Sequence, residues 1–497
     1  MTRIRLRGAA VMFAALGLVA AGCGGDSDSD SDAAPDDSAA PGDGGANLPE
    51  CPLEALETAE GPVEVVVWHT QTARPLDVLE ELAADYNASQ SAVQVRLESQ
   101  GSSYEEIQRR FNEAVPSQDL PALIVVDDTF TQSMADSGVV LPAQSCIEAS
   151  DFDTSGFLDT ARAYYTIDDV LWPVSANLGN ILLYFNRNHF IRAGLDPDDP
   201  PESLAEVREY AEIIQAAGVA PTPLVHEFAT WKTEFWLTGA GSSVVDDDNG
   251  RGDGETTSAT LDGNPEALEL FDWFASMIDD GLLQAVPGTP GQIDQYLALA
   301  AESSSMLIDT SSAATSIEAF LGGELDPGDI GAGDDAADID TSVLDIDAGP
   351  FPGLTAGDPT QMGGSAWYLI STEPPEVQAA AWDFAVYLNG LHAQTRLLVG
   401  GSYLPYLEAA ADEPDSVAYL TGEGGIAGEW LAIANEQVQA IDPSFPGPLI
   451  GPYDEFREGL REAQEAMVFG DATPSEALAQ AQEIIDTALQ RYADENF

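Results

Sequence analysis

The chain has 497 residues, 86 acidic side chains against 17 basic ones, and a formal net charge of −69. That length allows two or three domains with sizeable cores, and an apolar content of 44% exceeds what a disordered chain of such charge carries. The acidic excess excludes general nucleic-acid binding, which needs a basic footprint, and charge-driven adhesion to an anionic membrane.

Arg3, Arg5 and Arg7 precede a stretch of small apolar residues over 9–22. It is too short to span a bilayer, so residues 1–22 read as a secretory signal peptide. The stretch ends Val19-Ala20-Ala21-Gly22-Cys23. Small residues directly before a cysteine resemble the bacterial lipobox, in which the thiol is acylated and becomes the new N-terminus; ordinary cleavage with Cys23 incidental is the plainer alternative. Residues 23–59 then hold the lipid-anchor cysteine Cys23 and a disordered acidic tether, because its alternating Asp, Ser, Gly, Pro and Ala build no core and its like charges repel. With Cys23 acylated, Cys51 and Cys146 are an even pair in an oxidising compartment, which favours a disulfide over two free thiols. No later stretch approaches the ~18 unbroken apolar residues of a membrane span.

From Val63 short apolar runs alternate with amphipathic segments. The run 63–68 is β-branched and reads as a strand buried on both faces. Leu76, Leu79, Leu82, Ala83 and Tyr86 recur at helical spacing, 93–97 alternates as a second strand, 104–114 is helical, and 121–126 is a third strand. This βαβαβ order implies a parallel sheet covered by helices. Further strands are expected at 179–186, 305–309 and 366–370, and helices at 204–217, 265–280, 293–301, 313–321, 377–388, 453–469 and 474–493. The acidic, Gly-rich stretch 322–352 reads as an irregular surface loop around a short strand.

In open α/β sheets, ligands collect beyond the carboxyl ends of the strands. Those ends carry His69-Thr70-Gln71, Gln100-Gly101-Ser102-Ser103-Tyr104, Asp127-Asp128 and Thr310-Ser311-Ser312. They offer hydroxyls, amides and an aromatic ring, which suit a neutral polyol or a single phosphate or carboxylate. Gly363-Gly364 would let a ligand approach the backbone closely.

Trp68-His69, Leu183-Tyr184-Phe185-Asn186-Arg187-Asn188 with Ala193-Gly194-Leu195-Asp196-Pro197, and Tyr403-Leu404-Pro405 together resemble the extracellular solute-binding proteins of carbohydrate-type ABC importers. The likeness spans about 62–495. Gln100-Gly101-Ser102-Ser103-Tyr104-Glu105-Glu106, Gly363-Gly364 and Gly401-Ser402-Tyr403-Leu404-Pro405 bring it nearest to the binders of glycerol-3-phosphate and glycerophosphodiesters. The resemblance implies an α/β, two-lobed, type II periplasmic-binding-protein-like fold, each lobe a mostly parallel sheet flanked by helices. Lobe 1 would comprise about 60–174 and 359–400, and lobe 2 about 175–358 and 401–497.

The same resemblance implies ligand contacts. Tyr104 matches a tyrosine that the family uses on its ligand, Asp128 falls where it places a glutamate for glycerol hydroxyls, and Trp231 falls where an indole packs on the glycerol carbons, with Phe228 nearby. Ser311, Gly364 and Tyr403 match phosphate-holding positions, Arg457 falls on the family's arginine, and Ser175 lies in a serine-rich segment of different length. Plainer readings stand beside these. Tyr104 and Trp231 suit simple packing, and Arg457 follows Asp454 at the i,i+3 spacing of a surface ion pair.

The expected protein is therefore a monomeric lipoprotein on the extracellular face of a bacterial cytoplasmic membrane. It needs no cofactor or metal, captures a sugar, glycerol-3-phosphate or glycerophosphodiester, and delivers it to ABC permease subunits. The strong negative field favours a neutral or zwitterionic polyol over a bare phosphomonoester. The competing classes are a secreted carbohydrate hydrolase using two carboxylates and a sensory or adhesive surface lipoprotein. No Gly-x-Ser-x-Gly elbow occurs, Asp246–Gly250 lacks calcium-loop spacing, and Arg251-Gly252-Asp253 reads as a chance match.

Overall fold

The computed structural model describes residues 48–289, 293–324 and 341–496. The expected signal peptide, Cys23 and the tether up to residue 47 lie outside the described residues. The tether was expected to run on to residue 59, but residues 51–57 are held against the domain. Cys51 is buried in a disulfide with Cys146 (Cα–Cα 5.0 Å), and a short helix, Glu54–Glu57, packs on the helix Pro375–Leu388. A covalent link to a buried cysteine and an apolar contact hold these residues against the domain.

The described strands are β1 (Val63–His69), β2 (Val93–Ser99), β3 (Leu123–Asp127), β4 (Val140–Leu141), a hairpin of β5 (Thr166–Ile167) and β6 (Val170–Leu171), β7 (Val174–Gly179), β8 (Ile181–Asn186), β9 (Leu224–Phe228), β10 (Leu283–Pro287), β11 (Met306–Thr310), β12 (Ile346–Gly349) and β13 (Gly363–Ile370). One sheet has the order β2-β1-β3-β13-β4, with β7 also pairing to β13; a second has the order β10-β9-β11-β8-β12. Each sheet is parallel on one side only. β1 runs parallel to β2 and β3, while β13 runs antiparallel to β3, β4 and β7. β9 runs parallel to β10 and β11, while β8 runs antiparallel to β11 and β12. The expectation of mostly parallel sheets thus holds for the βα-repeating halves. It fails where a strand enters from the other lobe, because such a strand need not follow a right-handed crossover.

Local sequence accounts for the elements that frame the cleft. The helix Tyr104–Ala114 starts where Ser103 Oγ accepts the Glu106 amide at 3.2 Å, carries Glu105 and Glu106 in its first turn, and buries Ile107 and Phe111. The strand buried on both faces is β3, all but its last residue enclosed; β1 alternates, with Glu64 exposed and Val65 and Val67 buried. Val65, Val67, Leu79, Leu82, Leu369 and Phe384 form an apolar cluster on one side of the first sheet. The helices Tyr453–Val468 and Pro474–Asn496 pack on each other and on the helix Pro265–Asp279 of the second lobe.

Among the described residues, three segments cross between the sheets. The first is Asn180, between β7 and β8, and not the expected point near 174, because β7 is bonded along its length to β13. The second joins β12 to β13, and the third follows the helix Leu391–Gly401. The first and third are zipped together: Leu178 and Leu404 exchange backbone hydrogen bonds at 3.2 and 2.9 Å.

Candidate functional site

A cavity of about 530 Å³ lies between the two sheets. Its wall is built from the carboxyl ends of β3, β9, β10 and β11, the start of the helix Tyr104–Ala114, the first residues of β13, and one face of the helix Tyr453–Val468. Convergence of strand ends at a lobe boundary is where an α/β sheet collects a ligand.

Tyr104, Asp128, Trp231, Gly364, Tyr403 and Arg457 all meet on this wall, although they lie far apart in sequence. Gln71 organises two of them: its amide nitrogen donates to Tyr104 Oη at 3.3 Å, and its amide oxygen accepts from Tyr403 Oη at 2.6 Å. One buried glutamine thereby fixes an aromatic pair drawn from the first lobe and the third crossing. Trp231 is partly buried and meets Phe235 edge-on at 5.5 Å, so packing and cavity exposure are combined in one side chain.

Ser175 and Ser311 do not reach the wall. Ser175 is enclosed in β7, where it pairs with Ala366, and its Oγ has no hydrogen-bond partner. Ser311 is fully buried, and its Oγ accepts the Asn180 amide at 3.1 Å while its own amide donates to the Asn180 carbonyl at 2.8 Å. It clamps the first crossing, and the neighbouring Thr310 and Ser312 present themselves to the cavity. Gly364 lines the cavity, but its lack of a side chain answers to the protein itself. At φ +155° an added Cβ would lie 2.1 Å from the Asn177 carbonyl oxygen of β7.

Arg457 is paired, and not with Asp454 as the i,i+3 spacing suggested. Its Nε and a terminal nitrogen bond Glu234 at 3.0 and 3.3 Å, and its other terminal nitrogen lies 3.4 Å from Asp127 Oδ1. Glu234 is buried in the second lobe and Asp127 ends β3 in the first, so the guanidinium links the lobes. Asp128 beside it is buried with one carboxylate oxygen unpartnered. Burial, and then the charge of Asp127, push its pKa well up, with Arg457 acting in the opposite direction.

Sequence reasoning did not single out Asn177, Asn180, Glu227, Phe235, Gln361 and Arg461 on the wall. Glu227 belongs to a buried trio. Lys232, the only lysine, is fully enclosed with its Nζ 3.1 Å from both Glu227 and Asp309. A lone lysine within an apolar, aromatic segment is the signal that could have pointed there, since such a group is enclosed only when paired. Among the described residues no group of His, Cys, Asp or Glu could hold a metal ion.

The sequence profile of the bacterial extracellular solute-binding proteins matches residues 81–421, and the chain belongs to that family. It is 26% identical over 438 residues to the sn-glycerol-3-phosphate-binding periplasmic protein UgpB of Rhizobium meliloti (strain 1021), covering 87% of this chain and 95% of that relative. The structure of UgpB from Mycobacterium tuberculosis in complex with glycerophosphocholine matches with a TM-score of 0.68 at 18% identity, over 87% of this chain and 100% of the other. The GacH receptor of Streptomyces glaucescens, solved unliganded and with acarbose, matches with a TM-score of 0.67 at 17% identity, over 86% and 99%. These likenesses establish the type II periplasmic-binding-protein fold. The chain is a solute-binding protein of the ABC-importer type, and the reading as a binder and not an enzyme holds because the family and its relatives are binding proteins.

Proposed function

We propose that this solute-binding protein captures a sugar or glycerophosphodiester in its inter-lobe cavity and hands it to the transmembrane permease of an importer, as a monomer anchored through acylated Cys23. The single observation that carries the reading is the cavity itself: polar and aromatic residues of both lobes converge on one space of about 530 Å³. Only a closed state lets residues of both lobes touch one ligand, so binding free energy favours closure.

Tyr104, Asp128, Trp231, Gly364, Tyr403 and Arg457 are the proposed contacts, joined by Thr310 and Ser312 in place of Ser311. The engagement of Arg457 with two carboxylates argues against a phosphomonoester held mainly by that guanidinium. A UgpB relative is named for sn-glycerol-3-phosphate, and a structural neighbour holds glycerophosphocholine. Calorimetric titration of the purified full-length protein with maltose, glucose, glycerol-3-phosphate and glycerophosphocholine tests the reading. Binding of at least one of them below about millimolar is expected. Absence of all binding together with measurable glycoside hydrolysis would replace it by the hydrolase reading. Mass spectrometry of membrane-extracted protein should find Cys23 acylated; a free thiol there removes the anchor.

A further inference from the structure

Gln71 follows the end of β1 and is buried, its backbone amide donating to His69 Nδ1 at 3.2 Å. Its side-chain amide bonds two tyrosines of the cavity wall, Tyr104 at the start of its helix and Tyr403 at the third crossing. The two contacts differ in length, and the lengths assign the amide. A hydroxyl sits closer to an acceptor oxygen than an N–H does. The 2.6 Å contact to Tyr403 therefore belongs to the carbonyl oxygen, and the 3.3 Å contact to Tyr104 belongs to the nitrogen.

The direction of those bonds decides what each ring has left. Burial raises the pKa of both phenols, that of Tyr403 well above its ordinary value, so both hold their proton at neutral pH. A phenol has one proton to give. Tyr403 gives it to Gln71 Oε1 and keeps only lone pairs. Tyr104 receives from Gln71 Nε2 and, among the described residues, is the donor in no hydrogen bond. We infer that Gln71 is a positioning residue for ligand capture: it makes Tyr403 an acceptor and leaves Tyr104 as a donor, so that Tyr104 gives a hydrogen bond to an acceptor oxygen of the ligand. This deepens the capture reading and rests on it. It also changes the role that resemblance implied for Tyr403. A phosphodiester oxygen has no proton to give and gains nothing from a ring that offers lone pairs alone, whereas a ligand hydroxyl can donate there.

The substitution Gln71→Glu tests this, because the protonation state of the introduced carboxyl reverses the wiring. Ionised, it accepts from both tyrosines, and the Tyr104 proton is withdrawn from the ligand. Protonated, it copies the amide, with a carbonyl for Tyr403 and an O–H for Tyr104. Calorimetry on the full-length parent and variant, with maltose, glucose, glycerol-3-phosphate and glycerophosphocholine, would run from about pH 4 to about pH 8. The other titratable groups facing this part of the wall, His69, Glu80, Glu105, Asp127, Asp128 and Asp454, are common to both proteins. The quantity read is therefore the ratio of variant to parent affinity. For each compound that the parent binds, the ratio should be near one at about pH 4 and at least about tenfold lower at about pH 8. Tyr104→Phe should itself bind about tenfold more weakly, and adding Gln71→Glu to it should change nothing at either pH. A ratio that does not move with pH, or the same pH-dependent loss in the Tyr104→Phe background, overturns the inference and leaves the capture reading intact. So does parental affinity in Tyr104→Phe alone, which keeps the test decisive if Gln71→Glu does not fold. If the parent binds none of these compounds, the capture reading falls and takes this inference with it.

Discussion

Asp454 lines the cavity with its side chain still open to solvent, and partial desolvation by the surrounding wall, followed by the charges of Glu455, Glu105 and Asp127, raises its pKa to about 6 against the opposing effect of Arg457. A raised carboxylate pKa means that its charge costs folded-state stability above about pH 6 and that the cost is relieved as pH falls through that value. Asp454→Asn should therefore stabilise the protein at about pH 7.5 and have little effect near about pH 4, read as the shift of the urea midpoint at each pH; an equal shift at both would contradict this. Lys232 is the opposite case, a cation enclosed between Glu227 and Asp309 at 3.1 Å each. Lys232→Met strands both carboxylates and should destabilise by about 3–5 kcal/mol in urea unfolding, far more than a surface lysine would.

At the scale of elements, β13 does the most to position the site. It enters from the second lobe, pairs with β7 across a register shift between Ser365 and Ala366, and brings Gly363 and Gly364 to the cavity. Gly364→Ala would drive a Cβ into the Asn177 carbonyl at 2.1 Å and prise β13 from β7. A loss of about 1–3 kcal/mol is expected, with ligand affinity reduced because Asn177 shares the wall; an unaltered melting curve would contradict this. The disulfide works at the other end of the first lobe. Cys51–Cys146 closes a loop of sequence separation 95 and fastens the helix Glu54–Glu57 to the domain. Reduction should lower stability by about 4–5 kcal/mol in the chain-entropy model, measured as a shift of the urea midpoint with and without reductant.

For the whole molecule, the acidity now has distinct locations. Part of it lies in the sequence before residue 48, part on exposed helix faces such as Glu465 beside Arg461, and part in the cleft. The two lobes meet through three crossings and through polar contacts at a distance from them. Arg251, in what read as a chance tripeptide, donates to the Gly447 carbonyl at 2.7 Å and to the Ala163 and Tyr164 carbonyls at 3.3 Å. A hinge zipped by Leu178 and Leu404 with a cleft on one side favours rigid-body closure. Saturating ligand should accordingly contract the radius of gyration in small-angle scattering without changing helix content; contraction accompanied by altered far-ultraviolet dichroism would point instead to refolding of a segment.

The alternation of apolar runs and amphipathic segments determined the elements, since the period of burial is written locally. The helix expected at 104–114 is Tyr104–Ala114, and that expected at 204–217 is Leu204–Ala216. Less regular elements escaped: β9 and β10 are short, and the helix Thr230–Gly239 is enclosed on nearly every face, so neither shows a polar–apolar rhythm. The motifs likewise carried the family and most of the cavity wall, because strand ends and turn residues keep their chemistry wherever the strands are placed. What only the tertiary structure decided was pairing. That Arg457 is held by Glu234 and Asp127 and not Asp454, that Ser311 clamps Asn180, and that Lys232 is enclosed between two acids are contacts between residues distant in sequence or separated by a turn. With 86 acids available, composition says that carboxylates abound. Only the fold determines which of them have a partner, because Coulomb energy depends on distance and burial and sequence specifies neither.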